Sequence, residues 1–151
     1  MEKERHKEVP SAYSVLIKDG KVLLLRRFDT GYQDGNYSLP AGHVDKDETF
    51  TQCIAREAKE EIGVDLNSKD LNVAHVMHRF SGKEYGDNGY RIDLFFTTEK
   101  WQGEIENKET NKCDDLSWFD LDKLPENMVP EVRQAISCIK NKIIYSELGW
   151  E

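Results

Sequence analysis

With 151 residues, 38% of them hydrophobic and 33% charged, the chain has the size and composition of one folded domain with a well-solvated surface. A net charge of −8 leaves no basic stripe for a nucleic-acid polymer, and no apolar run reaches the roughly 18 residues of a membrane span. Small anions remain open to an acidic protein if metal cations bridge the two. The opening "MEKERHKEVP" has no apolar stretch behind its charges, so a cytoplasmic protein is expected. Cys53, Cys113 and Cys138 are odd in number and widely spaced, which reads as reduced thiols rather than a disulfide or zinc framework.

In chain order, "SAYSVLI" and "KVLLLRR" flank Asp19-Gly20, a strong hairpin turn, and predict antiparallel strands over Ala12–Lys18 and Lys21–Arg26. A Gly/Asp/Asn-rich loop follows, with a short strand near Tyr37–Leu39. A helix is expected from about Phe50 to Ile62: Thr49 and Gln52 form a capping box, and Gly63 is a C-terminal stop. "LNVAHVMHRF" (Leu71–Phe80) and "YRIDLFFTTE" (Tyr90–Glu99) read as longer strands around the flexible loop "SGKEYGDNG". "LSWFDL" supplies a last strand. Pro130 opens a closing helix whose buried stripe is expected to be Val132, Ile136, Ile139 and Ile143. Strands interrupted by two helices predict an α+β fold, an α/β/α sandwich with a mixed β-sheet, in a single domain.

The first helix carries an unusual load. Phe50, Ile54, Ala58 and Ile62 form its inward ridge, while Gln52, Arg56 and Lys59 fall on the solvent side. Glu57 and Glu61 lie within about 20° of Phe50, at the margin of the buried face, with Glu60 on the same flank. Partly desolvated carboxylates crowd at a cost unless something positive lies among them. Lys59 points away, and Arg56 is expected to reach only the edge of the cluster beside Glu60. Hard divalent cations prefer carboxylate oxygens, and magnesium is held by a few carboxylates plus substrate phosphates.

The spacing agrees with this. Gly42, five residues, Glu48, seven residues, then "REAKEEIGV" fits Gx5Ex7REUxEExGU, where U is a bulky apolar residue and Ala58 a small occupant of the first such place. The chain therefore resembles the Nudix hydrolases, of the MutT-like kind. The likeness extends beyond the box to the hairpin, "LPAG", the two long strands and "WFDLDKLP". It implies the Nudix fold and hydrolysis of a nucleoside diphosphate linked to a further group X, with Mg2+ or Mn2+. By the same resemblance Glu57, Glu60 and Glu61 bind metal, Arg56 orients them, and Glu48 is a supporting or outer ligand. A backbone carbonyl of Ala41-Gly42 adds another ligand at Gly42. Arg27 matches an arginine that meets substrate phosphate, and Glu109 in "WQGEIENKET" matches an extra metal ligand or general base.

Other residues read as incidental. His75 and His78 are three apart on a strand and face opposite ways, so they cannot share a metal. His43 lies within the box loop. Trp101 and Trp118 read as core, and Tyr85 and Tyr90 are placed to border the pocket from a mobile loop. No proline lies between Val64 and Lys123, which disfavours ADP-ribose as substrate. The default substrate is a nucleoside triphosphate, cleaved to monophosphate and pyrophosphate, with Asn127 and Glu131 in "PENMVPEV" as candidate base readers. CDP-alcohols or nucleotide sugars are the alternative, and a non-catalytic nucleotide-binding module is a third reading. Monomer and homodimer are both compatible with the sequence.

Overall fold

The computed structural model describes residues 3–151. Strand β1 (Val9–Lys18) turns at Asp19-Gly20, both with positive φ (52° and 75°), into β2 (Lys21–Arg27). Positive φ at both centres suits the twist of a two-residue hairpin. Short strands β3 (Tyr37–Ser38) and β4 (Ala41–His43) lead to helix α1 (Phe50–Ile62). Then come β5 (Asn72–Phe80), β6 (Tyr90–Thr98), β7 (Cys113–Asp120), helix α2 (Pro130–Lys140) and β8 (Tyr145–Leu148).

Pairing divides the strands into two groups that meet at the hairpin. One runs β4-β1-β6-β5-β8, with β1/β6 and β5/β8 parallel and the other pairs antiparallel. The other sets β2 between β3 and β7, all antiparallel. Strand alternation sends side chains to two layers. Ala12 and Leu16 of β1, Leu23 and Phe96 meet Cys53, Ile54, Ala58 and Ile62 of α1. Tyr13, Val15, Val22, Leu24, Met77 and Phe95 meet Val132, Ala135 and Ile136 of α2. The expected α/β/α sandwich with a mixed sheet is observed.

Helix α1 has its predicted bounds. The Thr49 hydroxyl accepts from Gln52 N–H, the Gln52 side chain accepts from Thr49 N–H, and Gly63 ends the helix at φ 76°. Trp101 and Trp118 stack at 5.8 Å, half-buried against the cluster that holds Ala58 and Ile62.

Two expectations are corrected. Ile143 is 48% exposed, outside the α2 stripe, because the helix stops at Lys140. The chain then turns into β8, which fills the edge beside β5. His75 supports that edge, hydrogen-bonding the Ile143 carbonyl at 2.8 Å and Ser146 Oγ at 2.7 Å. Strand β4 is the second difference: it places Ala41 and Gly42 on β1 rather than in a free loop.

Candidate active site

Two adjoining cavities open beside α1 and share Arg27 and Ala41 in their walls. The first, about 510 Å³, is lined by Glu57, Glu60 and Glu61 of α1, by Glu109, and by Arg27 and Lys112 among others. The second, about 450 Å³, is lined by Tyr13, Tyr32, His43, Arg79, Arg91 and Glu131 among others. Cavities of this size suit a nucleotide-sized ligand.

Local geometry fixes the glutamates. Ala41 N–H, on β4, donates to Glu61 Oε1 at 3.1 Å. Gly42 is required for space, not for its backbone angles: a Cβ there would fall onto the Glu57 carboxylate. Burial pushes the Glu61 carboxyl well above the usual carboxylate range; a hydrogen bond and charge from Glu57 add to it, and Glu109 adds further. Glu109 is thus an electrostatic neighbour of the helix glutamates. Glu106 is not: its carboxylate pairs with Lys108 at 2.9 Å and is 61% exposed.

Arg56 departs from expectation. It lies within the cluster rather than at its edge, donating Nη1 to Glu57 at 2.6 Å and Nε to Glu48 at 2.8 Å, with Glu60 at 3.6 Å. The guanidinium reaches back over the loop before α1, so it meets Glu48 from the loop and Glu57 from the helix together. Glu48 has its carboxylate committed to Arg56 and to Asp45 N–H, and that pairing holds it down to about 2. It lines neither cavity. Its place is to hold Arg56.

The donor set at Glu57, Glu60, Glu61 and Glu109 is anionic, oxygen-only and partly desolvated, which fits a hard divalent cation. Among the described residues no three acidic, histidine or cysteine side chains are already gathered to coordination distance. Arg56 accounts for part of this, since it draws Glu57 and Glu60 toward itself.

Arg27 and Arg26 point to opposite faces, as alternation predicts. Arg27 donates Nε to the Tyr32 carbonyl at 2.6 Å and Nη2 to Thr30 Oγ1 at 3.0 Å, with its guanidinium 5.4 Å from the Tyr32 ring centre. Arg26 pairs outside with Asp114 at 2.7 Å. The two candidate base readers separate. Asn127 lines neither cavity; it is exposed and donates to the Gly35 carbonyl at 2.8 Å, pinning a turn. Glu131 lines the second cavity, 4% exposed, accepting from Tyr32 Oη at 2.9 Å and ion-paired with Arg79 Nη1 at 2.9 Å.

Sequence reading missed Arg79, Asp93 and Arg91. Arg79 also donates Nε to Asp93 Oδ2 at 2.7 Å, beneath the cavity floor. Burial raises the Asp93 carboxyl, while Arg79 holds it down in part, and its Oδ1 has no hydrogen-bond partner among the described residues. The signal was available: Asp93 interrupts the apolar run "IDLFF" at an inward position.

A NUDIX domain family model matches residues 8–137. An NAD-capped RNA hydrolase NudC of Chromobacterium violaceum is 33% identical over 122 residues, covering 81% of this chain and 42% of that protein. An ADP-ribose pyrophosphatase of Methanocaldococcus jannaschii is 30% identical over 112 residues, covering 74% of this chain and 62% of that protein. The chain thus spans about two fifths to three fifths of the length of these relatives. A crystal structure of a MutT NUDIX hydrolase from Burkholderia pseudomallei superposes with a TM-score of 0.76 at 24% identity, covering 87% of this chain and 97% of that one, and shares the fold.

Proposed function

The chain belongs to the Nudix hydrolase family, and from that premise we propose that it cleaves a nucleoside triphosphate to the monophosphate and pyrophosphate with magnesium. One observation carries the reading. The α1 glutamates and Glu109 line one cavity with Arg27, and Arg27 and Ala41 also line a second, adjoining cavity large enough for a nucleoside.

In this reading Glu57, Glu60 and Glu61 hold the divalent cation, with Gly42 giving Glu57 the room it needs. When bound, the cation neutralises the diphosphate and makes its bound water acidic. Arg56 and Glu48 keep Glu57 oriented toward the cavity. Arg27 leaves the Tyr32 carbonyl and Thr30 hydroxyl to grip a phosphate that does not react. Glu109 takes the proton of the attacking water: it reaches the same cavity from a different loop, and a carboxylate not committed to a cation is the stronger base. Glu131, fixed by Tyr32 and Arg79, presents an acceptor to the nucleoside.

A second reading takes a pyrophosphate with a larger X group, such as ADP-ribose or a nicotinamide dinucleotide. The named activities of the relatives above favour it, although the proline spacing does not. A magnesium-dependent panel of nucleoside triphosphates, ADP-ribose, a nicotinamide dinucleotide, a CDP-alcohol and a nucleotide sugar separates them, with products resolved by chromatography. Monophosphate plus pyrophosphate from a triphosphate, at the highest kcat/KM of the panel, is the expected result. Faster turnover of ADP-ribose or the dinucleotide transfers the assignment to the second reading; no turnover of any member leaves only a binding module.

A further inference from the structure

The second cavity has a charge pattern that cleavage at the diphosphate leaves unused. Among the described residues, Arg27, Arg79 and Arg91 line it, and Glu131 is its one lining carboxylate. Arg79 is neutralised by Asp93 and Glu131, at 2.7 and 2.9 Å. Arg27 and Arg91 have no carboxylate within ion-pair distance among the described residues, whereas Arg26, Arg56 and Arg79 all do. In a chain of net charge −8, two guanidiniums left without acids in one cavity call for an anion from outside.

They stand at different places. Arg27 ends β2 and lines both cavities, so it belongs to the opening toward the glutamates. Arg91, at the start of β6, lines only the second and pairs in register with Val9 and Arg79. It is already oriented. Nε donates to the Asn88 carbonyl at 2.6 Å, and Nη1 donates to His43 Nε2 at 3.0 Å, which must therefore be the unprotonated nitrogen. Among the described residues those bonds leave Nη2 and the second Nη1 hydrogen without a partner, the fork that matches a phosphate.

We infer that Arg91, braced by His43 and the 83–89 turn, forms a second anion subsite for a phosphate one nucleoside away from the scissile diphosphate. The inference rests on the reading above for the first phosphate, with the nucleoside filling the space between. The preferred ligand class is then a 5′-di- or triphosphorylated nucleoside that also carries phosphate on its 3′-oxygen. That phosphate has two sources: the free monoester of a small nucleotide, or the diester that joins the next residue of an oligonucleotide.

Calorimetric titration of the full chain with magnesium compares guanosine and adenosine 5′-monophosphates with their 3′,5′-bisphosphates, neither of which is a substrate. The bisphosphates should bind roughly tenfold tighter, a step of the size expected for one guanidinium–phosphate pair. Arg91→Ala should bring the two within about twofold, and Arg91→Lys should keep part of the advantage. The comparison is a ratio within each variant, so a general loosening of the 83–89 turn does not imitate it. Steady-state KM values for a triphosphate, its 3′-phosphate and the 5′-triphosphorylated dinucleotide then identify the source. A gain for the 3′-monoester alone means a small nucleotide; a gain for the dinucleotide as well means an oligonucleotide end. No bisphosphate advantage in the wild type, an advantage that survives Arg91→Ala, or no binding of either nucleotide overturns the subsite. Triphosphate cleavage without a bisphosphate advantage removes the subsite alone. An advantage without cleavage of any triphosphate removes the proposed reaction and leaves the subsite standing.

Discussion

Two arginine–carboxylate clusters flank the cavities, and they use the same residue types in opposite ways. Around Arg56, every partner lies close in sequence: Asp45, Glu48, Glu57 and Glu60. Around Arg79, the partners are Asp93, 14 residues away on the next strand, and Glu131 at the start of α2. The Arg56 side chain is 31% exposed and that of Arg79 only 9%. Acids outnumber the arginine in both. A wet cluster can exchange partners for cations at little cost, because water compensates each intermediate arrangement. A dry one cannot, since every charge left alone there pays its full desolvation. In the proposed reaction the first serves the chemistry, while the second holds Glu131 and the cavity floor in place.

The sharpest way to break that contrast is Arg79→Ala. It leaves Asp93 and Glu131 as buried carboxylates without a cation, which should lower stability by about 3–5 kcal/mol. The loss should depend on pH in a defined direction. Burial already places the folded Asp93 carboxyl above its ordinary value, with Arg79 the main opposing influence. Removing the arginine raises it further, so the folded state binds more protons than the unfolded one over a wider range above the ordinary aspartate value. Stability of the variant therefore falls as pH rises through that range. Urea unfolding at pH 5 and pH 8 should show the larger deficit at pH 8. Equal deficits would mean that Arg79 acts through packing rather than charge.

The contrast also explains what the sequence made legible. Helix α1 could be bounded at both ends because its signals are local: Thr49 and Gln52 cap each other, and Gly63 takes the left-handed turn. The glutamate spacing is local too. The partnership of Arg79, Asp93 and Glu131 exists only once β5, β6 and α2 meet, and no short window of sequence contains it. Asn127 and Glu131 illustrate the limit together. Both stand in one segment, yet the backbone turns Asn127 onto the Gly35 loop and Glu131 into the cavity. Strand β8 escaped notice because its four residues follow α2 closely and acquire strand character from pairing with β5. Arg56 was misplaced for a related reason: helical angle locates a Cβ, whereas a long guanidinium reaches well beyond it.

A smaller but still large effect tests the cavity-lining glutamates beside the Arg56 cluster. Glu60→Gln and Glu61→Gln should each lower kcat at least a hundredfold, on the order of 3 kcal/mol, with folding retained. Glu109→Gln should also lower kcat into the general-base range of roughly a hundredfold or more, yet weaken magnesium binding to the free enzyme much less than Glu60→Gln. Glu106→Gln is the neighbouring control, since its carboxylate turns to Lys108 outside the cavity. Calorimetric magnesium titration beside steady-state kinetics reads both quantities. Full activity in Glu60→Gln and Glu61→Gln would remove the metal assignment; a crippled Glu106→Gln beside an active Glu109→Gln would mean that the loop works in another register.

The smallest expected effect separates two adjacent residues on opposite faces of β2. Arg27 is held by neutral partners only, the Tyr32 carbonyl and Thr30 hydroxyl, and can exchange them for phosphate oxygens without abandoning a carboxylate. Arg26 is already paired with Asp114 on the outer face, where an ion pair between exposed groups is worth little. If Arg27 grips a phosphate equally in the ground and transition states, Arg27→Ala should raise KM by roughly tenfold and leave kcat nearly unchanged. Arg26→Ala should change neither. A fall in kcat with KM unchanged would place Arg27 on the reacting phosphate instead, making it part of transition-state stabilisation. A KM effect in Arg26→Ala but not in Arg27→Ala would put the phosphate on the outer face of the strand, away from the glutamates, and so separate the binding residue from the wet cluster altogether.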